Sequence, residues 1–329
     1  MSASRRLFAQ YAKRLAREFQ GRVQERVGMK RHTTFRIGGM AELMVWPRDL
    51  ADLSRAVELA KEMEAPWRIL GHGSNLLVGD AGVAEVLIQI KDAFPAIEEM
   101  GEEAGGKNGG TAGSERTPGS AALVRFEAGV RLPAAVKRCQ TDGLAGLEWA
   151  AGIPGSMGGA VIMNAGSMGK SMSDVIEWVE WFRPGRGVER VERKDLAYEY
   201  RRLTRPRDAA VVACGLRLVA DDPRAIRERI VKGLKRRRQT QPLTYPSAGS
   251  VFKNPKNDYA GRLIEAAGLK GFRIGDAQIS DLHANFIVNR GRARSREVKA
   301  LIDKAREEIR KASGLELELE IELIGEELS

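Results

Sequence analysis

Three features of the sequence predict an α+β fold with more than one packed domain. The chain has 329 residues, which is enough for two or three domains. Strand-like and helix-like segments follow one another closely, and glycine-rich turns come directly after several of the strand-like segments. The apolar fraction of 43% and the charged fraction of 30% are ordinary for a globular protein that buries such a core.

The composition argues against several classes of protein. No run of about eighteen apolar residues occurs, so we expect no membrane span. The first residues lack the continuous apolar core of a secretory signal. Cys139 and Cys214 stand far apart and only three histidines are present, which argues against both a disulfide framework and a zinc site. We therefore expect a cytoplasmic enzyme without a bound metal.

Helical and strand-like patterns alternate in the first part of the chain. Leu7, Tyr11, Leu15 and Phe19 recur every four residues, which predicts an amphipathic helix within residues 1–30. The segments that follow predict, in order, a strand in "GGMAELMVWP", a helix in "LADLSRAVELAKEMEAP", a strand entering a glycine-rich turn in "WRILGHGSNLLVGD" and a strand in "VAEVLIQI".

The middle of the chain contains two compositionally biased segments. Residues 101–120 hold seven glycines and almost no apolar side chains, which predicts a mobile surface loop. A strand in "ALVRFEAGV", a helix in "LPAAVKRCQTDG" and a strand-rich stretch over about 174–219 follow. Residues 224–238 carry eight Lys or Arg and predict either a solvated helix face or attraction of a phosphorylated small molecule. Nucleic-acid binding is disfavoured because the run lacks interleaved aromatic residues.

The C-terminal part predicts a helix followed by a strand. "SREVKALIDKAREEIRKASG" places Val298, Leu301, Ile302, Ala305 and Ile309 on one helical face. "LELELEIELIG" alternates strictly, which predicts one strand with its apolar side chains on one face: Leu315, Leu317, Leu319, Ile321 and Leu323. The four glutamates between them repel one another, so we expect most to lie in solvent and the others to meet cations.

Two glycine-rich segments suggest loops that bind phosphate. "GHGSN" (71–75) follows a predicted strand, where backbone N–H groups can surround an anion and the Ser and Asn side chains add donors. "GIPGSMGGAVIMNAG" (152–166) is built from small residues that allow a backbone to lie close to a ligand. Together they suggest one extended dinucleotide between them. Neither matches the GxGxxG pattern after a strand, and no GxxxxGK[ST] motif occurs.

Six segments together resemble one enzyme family. They are "TTFRIGG", "LGHGSNLLVGD", "GLEWAAGIPGSMGGAVIMNAG", "YPSAGSVFKNP", "LKGFRIGDAQISDLHANFIVN" and "LELELEIELIG". In order and content they resemble the UDP-N-acetylenolpyruvoylglucosamine reductases, over the chain from about His32 to Gly325. The short distance from Tyr200 to Ser250 is similar to the shorter, type II branch of that family.

The resemblance implies a fold and an activity. It implies an N-terminal helix (1–30), an FAD-binding region of the vanillyl-alcohol-oxidase (PCMH) type in two subdomains (31–220, with a boundary near 92), and an α+β substrate-binding domain (221–329) whose terminal strand reaches the active site. The implied reaction is NADPH-dependent reduction of the enolpyruvyl ether of UDP-N-acetylglucosamine-enolpyruvate to UDP-N-acetylmuramate, for peptidoglycan synthesis. NADPH and this UDP-sugar are the implied partners.

The resemblance also assigns non-covalently bound FAD to the two glycine-rich loops. The implied cofactor-binding residues are Gly71, His72, Gly73, Ser74, Asn75, Leu76, Gly152, Ile153, Pro154, Gly155, Ser156, Gly158 and Gly159.

The resemblance assigns catalysis to three residues. Ser250 has no histidine or aspartate close by in the sequence to activate it as a nucleophile, and the resemblance makes it the proton donor to an enolate-like carbon, a role that requires a neutral hydroxyl. Arg201 would hold the substrate carboxylate, and Glu320 would polarise the intermediate. Two positions depart from the family: Leu203 stands where Ser is usual, and Glu322 where Arg is common.

Five further residues are implied to bind the substrate. Tyr200, Lys253 and Asn254 lie beside the catalytic positions in the sequence, and Lys270 and His283 are further candidates. Two alternatives remain: an FAD-dependent oxidase of the same fold, which needs neither Ser250 nor Glu320, and a basic nucleic-acid-binding protein, which explains neither glycine-rich loop.

Overall fold

The computed structural model describes residues 3–90, 94–100 and 117–328. Its helices are α1 (Ala3–Leu15), α2 (Leu50–Glu62), α3 (Leu132–Thr141), α4 (Met157–Ile162), α5 (Pro223–Thr240), α6 (Ala260–Ala266) and α7 (Ser295–Ser313). Its strands are β1 (Arg22–Gly28), β2 (Met40–Trp46), β3 (Trp67–Leu70), β4 (Leu76–Val78), β5 (Val83–Gln89), β6 (Ile97–Met100), β7 (Ala121–Glu127), β8 (Leu144–Ala145), β9 (Gly166–Ser167), β10 (Lys170–Ser171), β11 (Ile176–Arg183), β12 (Gly187–Glu192), β13 (Tyr198–Glu199), β14 (Arg202–Leu203), β15 (Ala210–Ala220), β16 (Arg273–Ile274), β17 (Ala277–Ile279), β18 (Ile287–Asn289) and β19 (Glu322–Ile324).

The first sheet has the strand order β1-β2-β5-β3, with β2, β5 and β3 parallel and β1 antiparallel at the edge. α2 begins where the Asp49 side chain accepts a hydrogen bond from Asp52 N. α1 follows the predicted apolar spacing but ends at Leu15, so Phe19 is buried beyond the helix. β1 was not predicted, because it is an edge strand with few apolar residues and pairs mainly through its backbone.

The second sheet is antiparallel, with the order β12-β11-β15-β7-β6 and β8 paired to β15. β15 is buried along nearly its whole length, since it is the central strand of this sheet. The side chains of this sheet and of the first sheet contribute to the same hydrophobic core. Residues 101–116 of the predicted loop 101–120 lie outside the described residues.

The C-terminal region packs around α7. Its predicted face is confirmed, because Val298, Leu301, Ile302, Ala305 and Ile309 are all buried. They join a second core with the small sheet β16-β17-β18, and this core also takes in Phe35, Ile37 and Leu77 from the N-terminal part of the chain. The C-terminal region is therefore packed directly onto the segments around the first glycine-rich loop.

The prediction of one continuous strand over 315–325 is wrong. The strand β19 comprises only three residues and Leu315 is exposed, although Leu317 and Ile321 are buried and Leu319 and Leu323 pack against the same core. The reason is a change of partner: Lys253 N donates to Glu318 O (2.9 Å) and Glu320 N to Val251 O (2.8 Å), after which β19 pairs in parallel with β4. The chain bends at residues 320–321, between the two pairings.

The division into residues 1–30, 31–220 and 221–329 stays a prediction. Both cysteines are buried. Within the described ranges, none of the helices combines the length and the apolar character needed to cross a membrane.

Candidate active site

The two glycine-rich loops lie against each other. The loop 71–75 connects β3 to β4, and the loop 152–159 runs into α4. A Cβ atom added to Gly71 would lie 2.5 Å from Ser156 Oγ, and one added to Gly155 would lie 3.0 Å from Ser74 Oγ. Glycine at both positions lets the two loops pack closely, and the predicted placement of a dinucleotide between them stays a prediction.

Gly73 fixes the shape of the first loop. Its φ of +63° lies in the left-handed region, and a Cβ there would lie 2.1 Å from His32 O. Gly73 O accepts a hydrogen bond from Thr34 N (3.1 Å). Gly158 has a different role, because a Cβ there would lie 2.8 Å from Ala128 Cβ, so its small size is explained by packing of α4.

Asn75 joins the first loop to the C-terminal segment. Its Nδ2 donates to Glu320 O (2.9 Å), and its O accepts from Glu322 N (2.9 Å). Leu76, the next residue, is paired with Glu322 in the parallel β4–β19 ladder. The predicted cofactor loop and the predicted catalytic Glu320 are therefore fixed relative to each other by backbone and side-chain bonds.

Arg201 lies opposite Glu320 and pairs with it. Arg201 is in the turn between β13 and β14 with a φ of +59°, which is uncommon for a residue with a side chain. Its Nε donates to Glu320 Oε1 (3.0 Å), and its Nη2 donates to Gly166 O (3.2 Å). Burial raises the pKa of Glu320 above its usual range, and the nearby Arg201 charge opposes that rise.

The contacts of the neighbouring residues distinguish Arg201 from the other arginines of this segment. Leu203 is 3% exposed and belongs to the hydrophobic core, so a polar residue is not required at that position. Arg205 donates instead to the backbone carbonyls of Pro206 and Ala209. Of the three arginines here, Arg201, Arg202 and Arg205, only Arg201 forms a salt bridge with a carboxylate among the described residues.

A backbone hydrogen bond connects the segment of Ser250 to Glu320 of this pair. Val251, which follows it, accepts the hydrogen bond from Glu320 N, and Val251 N donates to Asn285 O (2.8 Å). Gly249 before it has a φ of +83°. The hydroxyl of Ser250 is half-buried, and no hydrogen-bond partner for it occurs in the part of the chain that the structure describes. It is thus available to a ligand.

A cavity of about 420 Å³ adjoins the Arg201 turn. Tyr200, Lys253 and Asn254 line it, together with Glu318 and other residues. Lys253 Nζ lies 3.1 Å from Glu318 Oε2, and Asn254 Oδ1 accepts from Ala260 N (3.1 Å). Three of the five predicted substrate residues therefore share one cavity.

Lys270 and His283 lie apart from that cavity's lining. Lys270 Nζ is 2.8 Å from Glu265 Oε1 on the surface. The His283 ring packs edge-on against Phe286, and burial lowers the pKa of His283. Phe286 forms a bridge with Ser250, and Asn285, whose N donates to His283 Nδ1 (3.3 Å), accepts from Val251 N, so His283 is connected to the site through both residues. Their predicted contact with substrate stays a prediction.

Glu322, one of the two departures, has a partner. Its carboxylate forms an ion pair with Arg68 on β3, whose guanidinium also contacts Glu85 (Nε–Oε2, 2.9 Å). A cation is therefore present beside this position, although it comes from β3. The other three glutamates of the alternating segment are as expected, with Glu316 and Glu318 exposed and Glu320 partly buried and paired with Arg201.

Arg237 was not predicted to belong to the site. A Cβ added to Gly152, at the start of the second loop, would lie 2.9 Å from Leu234 Cδ2 and 3.3 Å from Arg237 Cδ. Arg237 Nε and Gln241 Oε1 are buried, and among the described residues neither has a hydrogen-bond partner. Burial lowers the pKa of Arg237. The basic residues 224–238 indicated cations in this part of the chain, but only its packing distinguishes Arg237 from its exposed neighbours.

These features fit a dinucleotide such as FAD. At Gly71, Gly73, Gly152 and Gly155 a Cβ would lie within 3.0 Å of another protein atom, so glycine lets the loops fold tightly there. Backbone N–H groups of such loops can bind a diphosphate. A buried guanidinium nitrogen without a partner beside the second loop suits an anion such as a diphosphate. Residues 71–76, 152–159 and Arg237 would hold the group.

Two family models match the chain. Residues 41–189 match an FAD binding domain, and residues 241–324 match the C-terminal domain of UDP-N-acetylenolpyruvoylglucosamine reductase. The predicted α+β class with an FAD-binding region is confirmed: an FAD binding domain is followed by an α+β C-terminal region, and its assignment to the vanillyl-alcohol-oxidase type stays a prediction.

Full-length relatives match over nearly the whole chain. The UDP-N-acetylenolpyruvoylglucosamine reductase of Moorella thermoacetica is 43% identical over 300 residues, covering 91% of this chain and 92% of the relative. That of Heliobacterium modesticaldum is 42% identical over 317 residues, covering 95% and 94%. The crystal structure of the Thermus caldophilus reductase is 36% identical to this chain, with a TM-score of 0.75. The match covers 93% of this chain and 100% of that one. At this identity and coverage, the chain belongs to the UDP-N-acetylenolpyruvoylglucosamine reductase family.

Proposed function

We propose that this protein reduces UDP-N-acetylglucosamine-enolpyruvate to UDP-N-acetylmuramate in peptidoglycan precursor synthesis. NADPH is the electron donor and FAD is bound without a covalent link. The observation that carries the proposal is the Arg201–Glu320 pair, which Asn75 connects to the flavin loop and Val251 connects to Ser250. Membership of the reductase family supports the same reaction.

Ser250 supplies the proton that completes the reduction. Bound FAD supplies the hydride chemistry between NADPH and the enolpyruvyl double bond. The carbon that carries the substrate carboxylate and the ether oxygen then needs a proton, and the Ser250 hydroxyl gives it through a new C–H bond as its O–H bond breaks. The oxygen recovers a proton from solvent. No base beside Ser250 is needed, because the hydroxyl acts while still protonated.

Arg201 stabilises the negative charge that develops on the substrate. Its Nε and Nη2 donate to Glu320 and Gly166, which hold the guanidinium in one orientation and leave its other N–H groups for the substrate carboxylate. Donors that are already oriented act on the transition state without reorganising. Glu320 therefore positions Arg201. Burial raises the pKa of Glu320, which also allows its carboxyl group to share a proton at the site.

The UDP part of the substrate extends along the 420 Å³ cavity. Lys253 and Tyr200 are its proposed contacts, and Asn254 shapes the wall by bonding Ala260 N. Lys270 and His283 are proposed to act further along the sugar-nucleotide. We place the enzyme in the cytoplasm, where NADPH and UDP-sugars are made, and propose no nucleic-acid partner.

The direct test is the visible spectrum of the purified protein. NADPH should bleach the flavin band under anaerobic conditions, and UDP-N-acetylglucosamine-enolpyruvate should restore it with one equivalent of UDP-N-acetylmuramate formed. Absence of flavin would refute the proposal. Rapid reoxidation by oxygen, with an alcohol as reductant in place of NADPH, would instead favour an oxidase of the same fold.

A further inference from the structure

One polar side chain interrupts the apolar end of β5. Residues 86–90 read "VLIQI", and Gln89 among them is only 2% exposed. Burying an amide costs free energy unless its donor and acceptor find partners. Gln89 is the last residue of β5, which lies between the parallel strands β2 and β3, and Leu70 is its partner in the ladder with β3. Gln89 therefore stands at the sheet edge from which the first glycine-rich loop begins.

Three hydrogen bonds satisfy the amide of Gln89. Its Nε2 donates to Gly71 O (2.9 Å), and its Oε1 accepts from Trp46 Nε1 (2.9 Å). The same Oε1 lies 3.1 Å from His32 Nδ1. An indole nitrogen can only donate and a backbone carbonyl can only accept, so these two partners determine which end of the amide faces which way. His32 Nδ1 therefore carries a proton, because it faces an acceptor oxygen.

The partners of Gln89 Oε1 are held in place by their own neighbours. Arg22, on the edge strand β1, pairs with Trp46 across the sheet, and its Cζ lies 3.7 Å from the centroid of the Trp46 ring. The His32 ring lies 5.7 Å from the same ring. Turning the amide over would place its oxygen against Gly71 O and its Nε2 against the indole N–H, so two attractive contacts would become repulsive. The amide N–H is thus directed at the Gly71 carbonyl.

This hydrogen bond sets the direction of the peptide group between Gly71 and His72. No cis peptide bond occurs among the described residues, and in a planar trans peptide the N–H points opposite to the carbonyl. The His72 N–H therefore points away from Gln89. A peptide group next to a glycine can rotate at little steric cost. Rotation here would replace the N–H by a carbonyl oxygen, which repels an anion instead of binding it.

We propose that Gln89 is a positioning residue for the diphosphate of the bound dinucleotide. Its amide holds the Gly71 carbonyl toward the sheet and thereby presents the His72 N–H to the anion. The proposal rests on the proposed function, in which residues 71–76 hold FAD. It adds to that site a residue on a rigid strand that acts through one backbone carbonyl.

The first test compares FAD binding in Gln89→Met and Trp46→Phe. Holoenzyme is diluted in steps, and the FAD released is measured by its fluorescence. Gln89→Met keeps the length of the side chain and removes the amide, so the FAD dissociation constant should rise about tenfold or more, the scale for one buried hydrogen bond. Trp46→Phe is the matched control, because it removes a bond to the same amide but leaves the one to Gly71. It should raise the constant less than about threefold.

The second test uses Gln89→Glu, in which the donor to Gly71 O depends on pH. A neutral carboxyl group can donate to that carbonyl, an ionised one cannot, and burial favours the neutral form. The FAD dissociation constant, divided by that of the wild type at the same pH, should be raised about tenfold near pH 8 and at least threefold less near about pH 5.5. Gln278→Glu is the control, because Gln278 Nε2 also donates to a glycine carbonyl, Gly271 O (3.1 Å), in the C-terminal sheet. Its ratio should stay near one at both pH values.

Other ionisable groups surround the position of Gln89. They are His32, the Arg22 guanidinium beside Trp46, and Glu85, which lies on the same face of β5 and pairs with Arg68 (Nε–Oε2, 2.9 Å). All of them are present in the wild type as well, which is why the constant is expressed as a ratio at each pH.

Four results would overturn the proposal. They are an FAD dissociation constant of Gln89→Met within about twofold of the wild type, equal weakening in Trp46→Phe, a Gln89→Glu ratio that does not fall as pH decreases, and weakening in Gln89→Glu alone, which would assign the effect to its charge. Bleaching of the wild type by NADPH and its reoxidation by the UDP-sugar test the proposed function separately. A wild type that passes those tests, with FAD binding unchanged in Gln89→Met, rejects the role of Gln89 alone.

Discussion

Arg201→Ala should destabilise the protein in a way that depends on Glu320 and on pH. Arg201 Nε and Glu320 Oε1 are 3.0 Å apart, and the two side chains are 21% and 16% exposed. At this distance the attraction is about 5 kcal/mol for an effective dielectric constant of about 20. Desolvation of both ions offsets most of it, so we expect a net coupling of about 1–3 kcal/mol between the two residues.

The pH dependence follows from the direction of the pKa shift. Burial raises the pKa of Glu320, and Arg201 opposes that rise; without Arg201 the pKa rises further. A carboxyl group with a raised pKa binds more protons in the folded than in the unfolded state, so stability falls as pH increases through the interval between the two pKa values. The cost of Arg201→Ala should therefore be small near about pH 5 and larger near about pH 8.

Urea unfolding of the FAD-loaded protein, followed by tryptophan fluorescence, measures this effect. The set comprises the wild type, Arg201→Ala, Glu320→Gln and the double variant at both pH values. Glu320→Gln should remove most of the pH-dependent cost of losing Arg201, because no charge is then left buried. A coupling below about 0.5 kcal/mol, or a cost that does not change with pH, would refute the reasoning.

Three further predictions concern the flavin loops. Gly73→Ala should lower the flavin-to-protein ratio measured by absorbance, because its Cβ would lie 2.1 Å from His32 O, whereas Gly185→Ala, at a φ of +77° with no atom within 4 Å, should keep the flavin. Asn75→Ala removes the bond to Glu320 O and should slow reoxidation by the UDP-sugar by about tenfold in stopped-flow absorbance, the cost of misplacing a catalytic group slightly; an unchanged rate would contradict it. Acid precipitation should release all the flavin, because Ser74, and not a histidine, stands after the second glycine of the loop, where a covalent attachment would need a histidine, and His72 lies between Gly71 and Gly73. A yellow pellet would contradict non-covalent binding.

Local patterns were sufficient for much of the fold. The α7 face and the strand β7 have clear periodicity, and burial of one face follows from it directly. The strands β2 and β5 are apolar runs buried on both faces, as is usual for parallel neighbours in a covered sheet. Both glycine-rich segments were predicted as loops from their small residues, whereas the close contact between them was not predicted and depends on the tertiary fold. That Glu320 is partly buried and paired with Arg201 was anticipated only as the statement that not all four glutamates of the segment lie in solvent.

Other features depend on tertiary partners that a single sequence does not reveal. The segment 315–325 alternates as one strand would, but it changes partner at Glu320, from the Val251 segment to β4. Arg237 belongs to a run of similar cations, and only its packing against Gly152 separates it from them. The ion pair of Glu322 with Arg68 joins positions far apart in the chain. Each is fixed by long-range packing, which local propensity does not encode.

The most direct test of the proposed reaction is to measure the two half-reactions of Ser250→Ala separately by flavin absorbance. Reduction by NADPH should stay within about twofold of the wild-type rate, whereas reoxidation by UDP-N-acetylglucosamine-enolpyruvate should slow by roughly 100- to 10,000-fold, the scale for loss of a positioned general acid. Ser250→Cys should retain more activity than Ser250→Ala, because a thiol still donates a proton. Equal loss in both half-reactions, or unchanged reoxidation, would contradict the assignment of Ser250 as the proton donor.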